Sequence, residues 1–245
     1  MKIHSILILG AKSDIGMAIA HRFAKAGYSI QLAARNIIEL ESDSKDIALR
    51  YNAKVTVHEF DVLKTSTHKK FLDNLPEIPS VTVSSVGYMG EQKINENNLE
   101  ELTKVIRTNF EGPANIFSEI ANKFEIRGYG TLIGISSVAG ERGRAKNYIY
   151  GSSKSAFTTF LSGLRNRLSK KNIHVLTVLP GFVDTKMTKN LDLPPRLTVK
   201  PFELAKIVFN AYKKKKNIVY IGKIWFLIMM LIRSIPESIF KLMKL

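Results

Sequence analysis

Short apolar runs recur along this chain, and segments with helical periodicity separate them. The apolar runs span residues 6–9, 29–33, 54–60, 81–84, 130–135 and 174–179. The helical segments span residues 15–26, 37–51, 65–75, 99–127 and 149–171. Strands that are buried on both faces are continuously apolar, and helices between them build βαβ units. The alternation therefore predicts an α/β fold, a doubly wound parallel sheet with helices on both faces, whose ligands bind beyond the carboxyl ends of the strands.

This arrangement is of the Rossmann type, and the 245 residues suffice for one such domain with a full core. We expect the domain, with its whole site, over residues 1–217 and an apolar, basic tail over residues 218–245. The first ten residues are interpreted as a strand, because their apolar run is too short for a signal peptide. The chain has no cysteine, which excludes disulfides and thiolate metal sites and fits a cytoplasmic location.

The net charge of +16 indicates an anionic partner, unless these charges are simply solvated. A nucleotide cofactor, an acidic membrane surface and a nucleic acid would all fit. Nucleic acid is disfavoured, because the chain has neither zinc-finger spacing nor an RNA-binding aromatic motif. The five histidines form no ligand-spaced cluster, so we expect no metal.

A glycine-containing loop follows the first predicted strand and leads into the first predicted helix. Residues 10–16 read Gly-Ala-Lys-Ser-Asp-Ile-Gly. Backbone N–H groups at a helix N-terminus bind phosphate, and glycine lets the backbone approach it closely. The loop therefore predicts a phosphate site, although a plain strand-to-helix turn would have the same pattern.

Tyr150 and Lys154 are four residues apart in a predicted helix, and Ser137 precedes Tyr150 by 13 residues. Residues at i and i+4 share a helix face. An ammonium beside a phenol lowers the pKa of the phenol, which makes the tyrosine a usable general acid or base near neutral pH. A serine hydroxyl next to it could hold a substrate oxygen.

These motifs, taken together, resemble the short-chain dehydrogenase/reductase family, whose catalytic set is Ser and Tyr-x-x-x-Lys. The resemblance covers residues 6–185. The loop at 10–16 resembles the family's Thr-Gly-x-x-x-Gly-x-Gly, with Leu9 in place of Thr and Asp14 in place of the middle Gly. Residues 84–87, Ser-Ser-Val-Gly, stand where the family usually has Asn-Asn-Ala-Gly.

The resemblance assigns a role to each matching position. Asn109, Ser137, Tyr150 and Lys154 would be catalytic, with Asn109 supporting a water joined to the lysine. The cofactor residues would be Gly10, Lys12, Ser13, Asp14, Ile15, Gly16, Arg35, Asp61, Val62, Ser85, Gly87, Tyr150, Lys154, Pro180, Gly181, Val183 and Thr185. Asp61 and Val62 would contact the adenine, and Val183 and Thr185 would hold the nicotinamide carboxamide.

The end of the second strand bears on the choice between NADPH and NADH. Relatives that prefer NAD usually have an acidic residue there for the ribose hydroxyl, and this chain has Arg35. A guanidinium pairs a 2′-phosphate in bidentate fashion, and Lys12 could add a second charge. We expect NADPH rather than NADH, unless Arg35 is only a surface residue.

The implied reaction is reduction of a ketone, or the reverse oxidation of a secondary alcohol. NADPH would deliver a hydride to the carbonyl carbon, and Tyr150 would donate a proton to the carbonyl oxygen. Ser137 would orient that oxygen, and Lys154 would lower the pKa of Tyr150. Tyr148 has Ser152 at i+4 instead of a lysine and is expected to be structural or to face substrate. A non-catalytic NADP-binding scaffold or redox sensor at a membrane is the alternative function.

Two regions concern the substrate. Residues 186–200 would form a lid in the family, and its Lys186, Lys189 and Arg196 would suit an anionic substrate or simply face solvent. In the tail, residues 224–232 are apolar throughout, which is too short for a spanning helix. Trp225 within this run and basic residues beside it favour peripheral contact through residues 213–245 with the inner face of a membrane; burial against the core or across an oligomer interface is the alternative.

A narrower similarity, to bacterial reductases of polyprenyl-phosphate-linked keto sugars, would make the ketone lipid-linked; 3-ketoacyl or steroid-like ketones remain open. Family members are usually homodimers or homotetramers through the helices that would here be 99–127 and 149–171.

Overall fold

The computed structural model describes residues 4–189, 191–222 and 224–243, and its strands confirm a parallel sheet. The strands are β1 Ser5–Leu9, β2 Ser29–Ala34, β3 Val55–Glu59, β4 Val81–Ser84, β5 Gly130–Ile135, β6 Ile173–Pro180, β7 Phe182–Val183, β8 Thr198–Val199 and β9 Ile218–Ile221. Seven of these described strands pair in the order β3-β2-β1-β4-β5-β6-β9, all parallel. Chain order reverses at β1, between β2 and β4, and this reversal opens a ligand-binding crevice at the carboxyl ends.

Helices cover both faces of this sheet. They are α1 Asp14–Ala24, α2 Glu41–Tyr51, α3 His68–Asp73, α4 Gln92–Asn97, α5 Leu99–Ile106, α6 Gly112–Arg127, α7 Tyr148–Leu168, α8 Pro201–Lys213, α9 Ile224–Ser234 and α10 Glu237–Phe240. Helices α1, α2 and α8 bury their apolar sides against one face of the sheet. Helices α3, α6 and α7 pack against the other. The α/β doubly wound fold that the alternation predicts is therefore confirmed.

Alternate residues of β1 show why both faces need helices. Ile6 and Ile8 belong to the core under α1 and α8, whereas Leu7 and Leu9 belong to the core under α6 and α7. All four side chains are fully buried. A strand with apolar residues on both faces is stable only between two helical layers, because exposing either face would leave several large apolar side chains in water.

The predicted helix 99–127 is interrupted. Helix α5 ends at Ile106, a π-helical turn spans Arg107–Glu111, and α6 begins at Gly112. Gly112 lies so close to Val62 that a β-carbon there would collide with the Val62 carbonyl. Periodicity predicts the whole helical stretch, but it does not reveal this local widening, which is a frequent feature of functional sites.

The sheet extends beyond residue 217, where we expected the domain to end. Strand β9 pairs with β6 and forms the edge of the sheet, although its four residues look like the start of an apolar tail. Trp225 and Met229 of α9 then join Val138 and Leu179 in a small core next to β6. The C-terminal region therefore packs on the domain. In the described residues, no helix is long and apolar enough to cross a bilayer.

Candidate active site

A cavity of about 740 Å³ lies at the carboxyl ends of β1, β2 and β4, where the sheet order reverses. Of the residues assigned to the cofactor by sequence, its walls contain Gly10, Lys12, Ser13, Arg35, Asp61, Val62, Ser85 and Gly87. These residues come from four separate segments. The strand ends bring them to one edge of the sheet, as the βαβ pattern predicts.

The loop after β1 has the geometry of a phosphate cradle. Gly10 has a φ of 80°, a left-handed conformation that favours glycine, and a β-carbon there would lie 2.9 Å from the Val86 nitrogen. A β-carbon on Gly16 would lie 2.5 Å from the Ser85 hydroxyl oxygen. Both glycines are therefore sterically required. Helix α1 begins directly after this loop, and the first N–H groups of a helix lack partners within it, so the residues fit a dinucleotide pyrophosphate.

Ser85 ties this loop to β4 in place of the family's asparagine. Its hydroxyl lies 3.0 Å from the Leu9 carbonyl oxygen and 3.1 Å from that of Gly10, and it accepts a hydrogen bond of 3.1 Å from Ser13. Ser13 in turn caps α1 by accepting the Gly16 N–H at 2.9 Å. A serine can thus hold the loop here because it reaches two carbonyls and one hydroxyl at once.

Asp14, Ile15 and Gly16 lie in the first turn of α1. The Asp14 carboxylate accepts the backbone N–H of Lys186 at 2.7 Å, so it bonds to the turn after β7. Ile15 packs against the core under α1. Asp14 can therefore replace the glycine of the family motif. Its carboxylate accepts a hydrogen bond from outside the loop, and its negative charge lies at the positive end of the α1 dipole, which stabilises it.

Two cations lie at the end of β2. Lys12 forms an ion pair of 2.5 Å with Glu39, and this ammonium lowers the pKa of the Glu39 carboxyl. Arg35 is exposed and lines the cavity, and within the described residues it has no ion pair. Arg35 is therefore the cation available to a ligand here, while Lys12 already has a partner.

Asp61 and Val62 follow β3 at the far side of the cavity. The Asp61 carboxylate accepts the Leu63 N–H at 3.0 Å, which fixes the turn after the strand. Val62 is buried and backs onto Gly112 at the start of α6. These contacts hold the wall assigned to the adenine, and the contact with adenine itself stays a prediction.

Helix α7 presents Tyr150 and Lys154 one turn apart. Lys154 is only 3% exposed, and its ammonium donates to the Ile135 carbonyl at 3.1 Å and lies 5.8 Å from the centre of the Tyr150 ring. Two glycines bring the Ser137 turn against this helix. A β-carbon on Gly140 would lie 2.6 Å from the Ser155 nitrogen, and one on Gly151 would lie 2.7 Å from the Ala139 oxygen.

Burial dominates the titration of both groups. It raises the pKa of Tyr150 to about 12, while a hydrogen bond with Ser137 acts in the opposite direction. Burial also lowers the pKa of Lys154 to about 8. The sequence analysis expected Lys154 to lower the pKa of Tyr150; here its ammonium donates to the Ile135 carbonyl, and its effect on the tyrosine stays a prediction. A tyrosine is protonated at pH 7 even at its ordinary pKa, so Tyr150 holds a proton that is available for transfer.

Asn109 lies in the π-helical turn and is fully buried. Its carboxamide oxygen accepts the Tyr88 N–H at 2.9 Å, and its nitrogen donates to the Tyr88 carbonyl at 2.7 Å and to Ser153 at 3.0 Å. Gly87 adjoins both Asn109 and Lys154, because a β-carbon there would lie 3.6 Å from the carboxamide oxygen and 3.6 Å from the ammonium. Asn109 thus anchors the backbone beside the lysine; its support of a water stays a prediction.

The segment after β6 carries Pro180, Gly181, Val183 and Thr185. Val183 is buried, and Thr185 begins a short turn in which its backbone N–H donates to the Thr188 hydroxyl at 3.1 Å. Trp225 covers Gly181 so closely that any β-carbon would collide with the indole. The C-terminal helix therefore holds the segment that the sequence assigned to the nicotinamide.

A second cavity, of about 560 Å³, lies on the other side of residues 87–90. Gly87 and Tyr88 line the first cavity, and Met89 and Gly90 line the second. Tyr150 lines the second cavity together with Arg144 and Asn147. The sequence analysis missed both of these residues; the signal that could have found them is a pair of polar side chains within six residues before the tyrosine.

The sheet order and the glycine loop at its reversal define a dinucleotide-binding α/β protein, and comparison with known proteins specifies the family. Residues 4–195 match the family described as short chain dehydrogenase. An uncharacterized oxidoreductase of Mycobacterium tuberculosis is 32% identical over 221 residues, which cover 88% of this chain and 87% of that protein. The chain belongs to the short-chain dehydrogenase/reductase family and is an NAD(P)-dependent oxidoreductase that acts on CH–OH groups.

Solved structures agree in fold. A short-chain dehydrogenase from Sphingobium yanoikuyae in complex with NADPH superposes with a TM-score of 0.83 at 21% identity, covering 96% of this chain and 98% of that one. A bulky-bulky ketone specific alcohol dehydrogenase from Comamonas testosteroni has a TM-score of 0.81 at 20% identity, covering 97% of each chain. At this level of identity the likeness concerns the fold alone.

Proposed function

We propose that this protein is an NADPH-dependent ketone reductase in which Tyr150 is the proton donor. The observation that carries the proposal is the position of Tyr150. Its phenol forms a hydrogen bond with Ser137 and lines the cavity that adjoins the cofactor cavity. A neutral phenol suits the reductive direction, in which an oxygen gains a proton.

The chain's own residues have separate tasks in this reaction. When bound, the reduced nicotinamide supplies a hydride to the carbonyl carbon. Ser137 orients the carbonyl oxygen, and the Tyr150 hydroxyl gives its proton to that oxygen, so the product is a secondary alcohol. Lys154, with its ammonium within 5.8 Å of the Tyr150 ring centre, stabilises the phenolate that remains.

Arg35 supports NADPH over NADH. It lies at the end of β2, lines the cofactor cavity and keeps its guanidinium free of ion pairs in the described part of the chain. A 2′-phosphate offers the bidentate acceptor that a guanidinium favours. The complex of the Sphingobium yanoikuyae relative with NADPH agrees with this choice.

The decisive experiment compares Tyr150→Phe with Tyr148→Phe. Both remove one phenolic hydroxyl near the start of α7, but Tyr148 is an exposed residue that serves as a matched control. We expect Tyr150→Phe to keep NADPH binding and to lose roughly 10²- to 10⁴-fold in turnover of a ketone panel that includes lipid extracts. Retained turnover in Tyr150→Phe would contradict the role of Tyr150 as proton donor. NADPH binding without turnover of any ketone by wild type would instead favour the non-catalytic NADP-binding scaffold or redox sensor.

We also propose a peripheral membrane contact and a hydrophobic or lipid-linked ketone. On α9, Leu227 is 53% exposed and Leu231 66% exposed, while Trp225 and Met229 on the opposite side are buried. Exposed apolar residues on a basic protein favour an acidic lipid surface, here the inner face of the membrane.

Flotation with acidic liposomes tests this contact. Deleting the tail is unsuitable, because β9 and Trp225 belong to the fold. We therefore compare Leu227→Gln/Leu231→Gln with Leu49→Gln, which changes an exposed leucine on α2. The α9 variant should float less than wild type, and the α2 variant should float equally. Equal flotation of all three proteins would leave α9 without a membrane role.

A homodimer or homotetramer through the helical surfaces 99–127 and 149–171 is part of the same proposal. Leu99 and Ile126, at the two ends of the first surface, are 77% and 90% exposed. Light scattering would show a multiple of the 27.6 kDa chain mass.

A further inference from the structure

Arg144 is the one charged side chain in the lining of the second cavity, from here on the substrate cavity, that is half-buried rather than exposed. Among the described residues that line this cavity, the charged ones are Glu91, Lys93, Arg144, Lys146 and Asp192. The other four are exposed. Burial lowers the pKa of the Arg144 guanidinium, although it stays charged at neutral pH.

The guanidinium has donors to spare. One of its terminal nitrogens makes only long contacts, 3.4 Å to the Val138 carbonyl and 3.5 Å to the Met229 sulfur. The Nε atom is buried and has no hydrogen-bond partner among the described residues. A buried donor without a partner destabilises the folded protein, so its retention beside Tyr150 indicates a ligand that supplies the partner.

The acidic side chain that acts on Arg144 is Glu141, whose charge raises the pKa of the guanidinium. Its Oε1 atom accepts the Tyr220 hydroxyl at 2.7 Å and the Arg233 guanidinium at 3.1 Å, and its Oε2 atom is buried without a hydrogen-bond partner among the described residues. No ion pair joins Glu141 to Arg144 in the described part of the chain. The positive charge of Arg144 therefore faces the cavity without a bound counter-ion from the protein.

The other residues of the lining indicate what kind of ligand fits beside Arg144. The carboxamide oxygen of Asn147 is buried without a partner, which leaves a second open hydrogen-bonding position near Tyr150. The apolar part of the lining consists of Met89, Phe182, Leu191 and Leu193. Polar groups placed beside such apolar side chains fix the orientation of a ligand.

We propose that the substrate is a ketone carrying a carboxylate or phosphate group, and that Arg144 binds this anion while Tyr150 protonates the ketone oxygen. The proposal rests on the proposed function, because it names the substrate class of that same site. It differs from the expectation that the lid cations Lys186, Lys189 and Arg196 recognise an anion.

The test compares pairs of ketones that differ only in charge. The soluble pair is 4-oxo-4-phenylbutanoate and its methyl ester, and the lipid-borne pair is 1-palmitoyl dihydroxyacetone phosphate and 1-palmitoyl dihydroxyacetone in detergent micelles. The enzymes are wild type, Arg144→Gln, Arg144→Lys and, as the matched control, Arg50→Gln, which alters an arginine exposed on α2. Kinetic constants are measured with NADPH.

Wild type should favour the anionic member of at least one pair by roughly 10- to 100-fold in kcat/KM. Arg144→Gln should abolish that preference through KM, with little change in kcat or in the neutral ketone, and Arg144→Lys should restore part of it. Preference in the soluble pair alone identifies a free anion, and preference in the micellar pair identifies a lipid headgroup. Equal losses on charged and neutral ketones would show that Arg144 only supports Met229, which overturns the proposal.

Binding separates this proposal from the proposed function. With NADP⁺ present, the anionic ketones should raise the Tm of wild type and leave that of Arg144→Gln unchanged. If wild type turns over no ketone but shows this shift, the reductase proposal fails and the anion site stands. If wild type reduces the neutral ketone equally well and no charge-dependent Tm shift occurs, the anion site fails and the reductase stands.

Discussion

The cofactor cavity and the substrate cavity differ in how their polar groups are satisfied. Around the first, Ser13 and Ser85 hydrogen-bond the loop after β1, Lys12 pairs with Glu39, and Asp61 caps its own turn. Around the second, Arg144 and Asn147 have buried atoms without partners. The first site is thus built largely from internal bonds, whereas the second keeps hydrogen-bonding capacity for a ligand.

The difference follows from where the side chains originate. Short loops at the ends of neighbouring strands build the first cavity, and local bonds can stabilise such loops. The second cavity combines a turn before α7, the segment after β6 and, behind them, the C-terminal helix. Arg142 attaches this helix by donating to the carbonyls of Ile232 and Ile235 at 2.9 and 2.6 Å. Because different segments build the two cavities, substitutions in the segments around the second cavity can change its lining without changing the loops of the first.

Lys154, which adjoins Gly87 of the first cavity and Tyr150 of the second, provides the largest expected effect on stability. Its folded pKa of about 8 is below its ordinary value of 10.5, so between these pH values the unfolded chain binds more protons. Lys154 therefore lowers stability below pH 8, and this effect fades as the pH rises toward 10.5. We expect Lys154→Met to be inactive and yet more stable at pH 7 by up to about 3 kcal/mol.

Urea denaturation at several pH values measures this effect. The advantage of Lys154→Met over wild type should shrink as the pH rises above 8. Lys170→Met, at an exposed position beyond the end of α7, should show no such trend. If the free energy of unfolding of Lys154→Met differed from that of wild type by the same amount at every pH, the ammonium of Lys154 would not be in a low-dielectric site.

Arg35 tests whether the cofactor cavity also keeps a donor free for its ligand. Arg35→Ala should raise the KM for NADPH by roughly 10- to 100-fold, because charge-assisted hydrogen bonds to the 2′-phosphate are lost. The KM for NADH and the kcat with NADPH should change little. Arg50→Ala, at an exposed arginine on α2, serves as the control. An unchanged NADPH preference in Arg35→Ala would contradict the assignment.

Ser84 and Ser85 offer the smallest and sharpest comparison. Ser85→Ala removes hydrogen bonds to the Leu9 and Gly10 carbonyls and should lower stability by about 1 kcal/mol and weaken cofactor binding. Ser84 is buried, and its hydroxyl has no partner among the described residues. Ser84→Ala should leave stability equal or higher. Thermal denaturation of both variants measures the difference, and equal losses would mean that Ser85 does not anchor the loop.

The motifs that follow strands were predictable one by one. Gly10, Arg35, Asp61 and Gly87 each follow a recognisable apolar run, and a parallel sheet brings such positions together regardless of the rest of the chain. The interruption at 107–111 was not predictable from periodicity, and neither was the close contact that follows it, of Gly112 with Val62, which is remote in sequence. Sequence patterns report local periodicity, and they do not report which distant backbone will be near.

The sequence by itself determined the doubly wound sheet and the membership in an oxidoreductase family, because burial on both faces of a strand and phosphate binding at a helix start require particular residues at particular spacings. Only the tertiary structure decided that β9 forms the edge of the sheet, that Asp14 bonds to Lys186, and that Lys154 is buried with its ammonium on the Ile135 carbonyl. Each of these depends on which groups meet after folding and how much water they lose, and both are properties of the packed molecule.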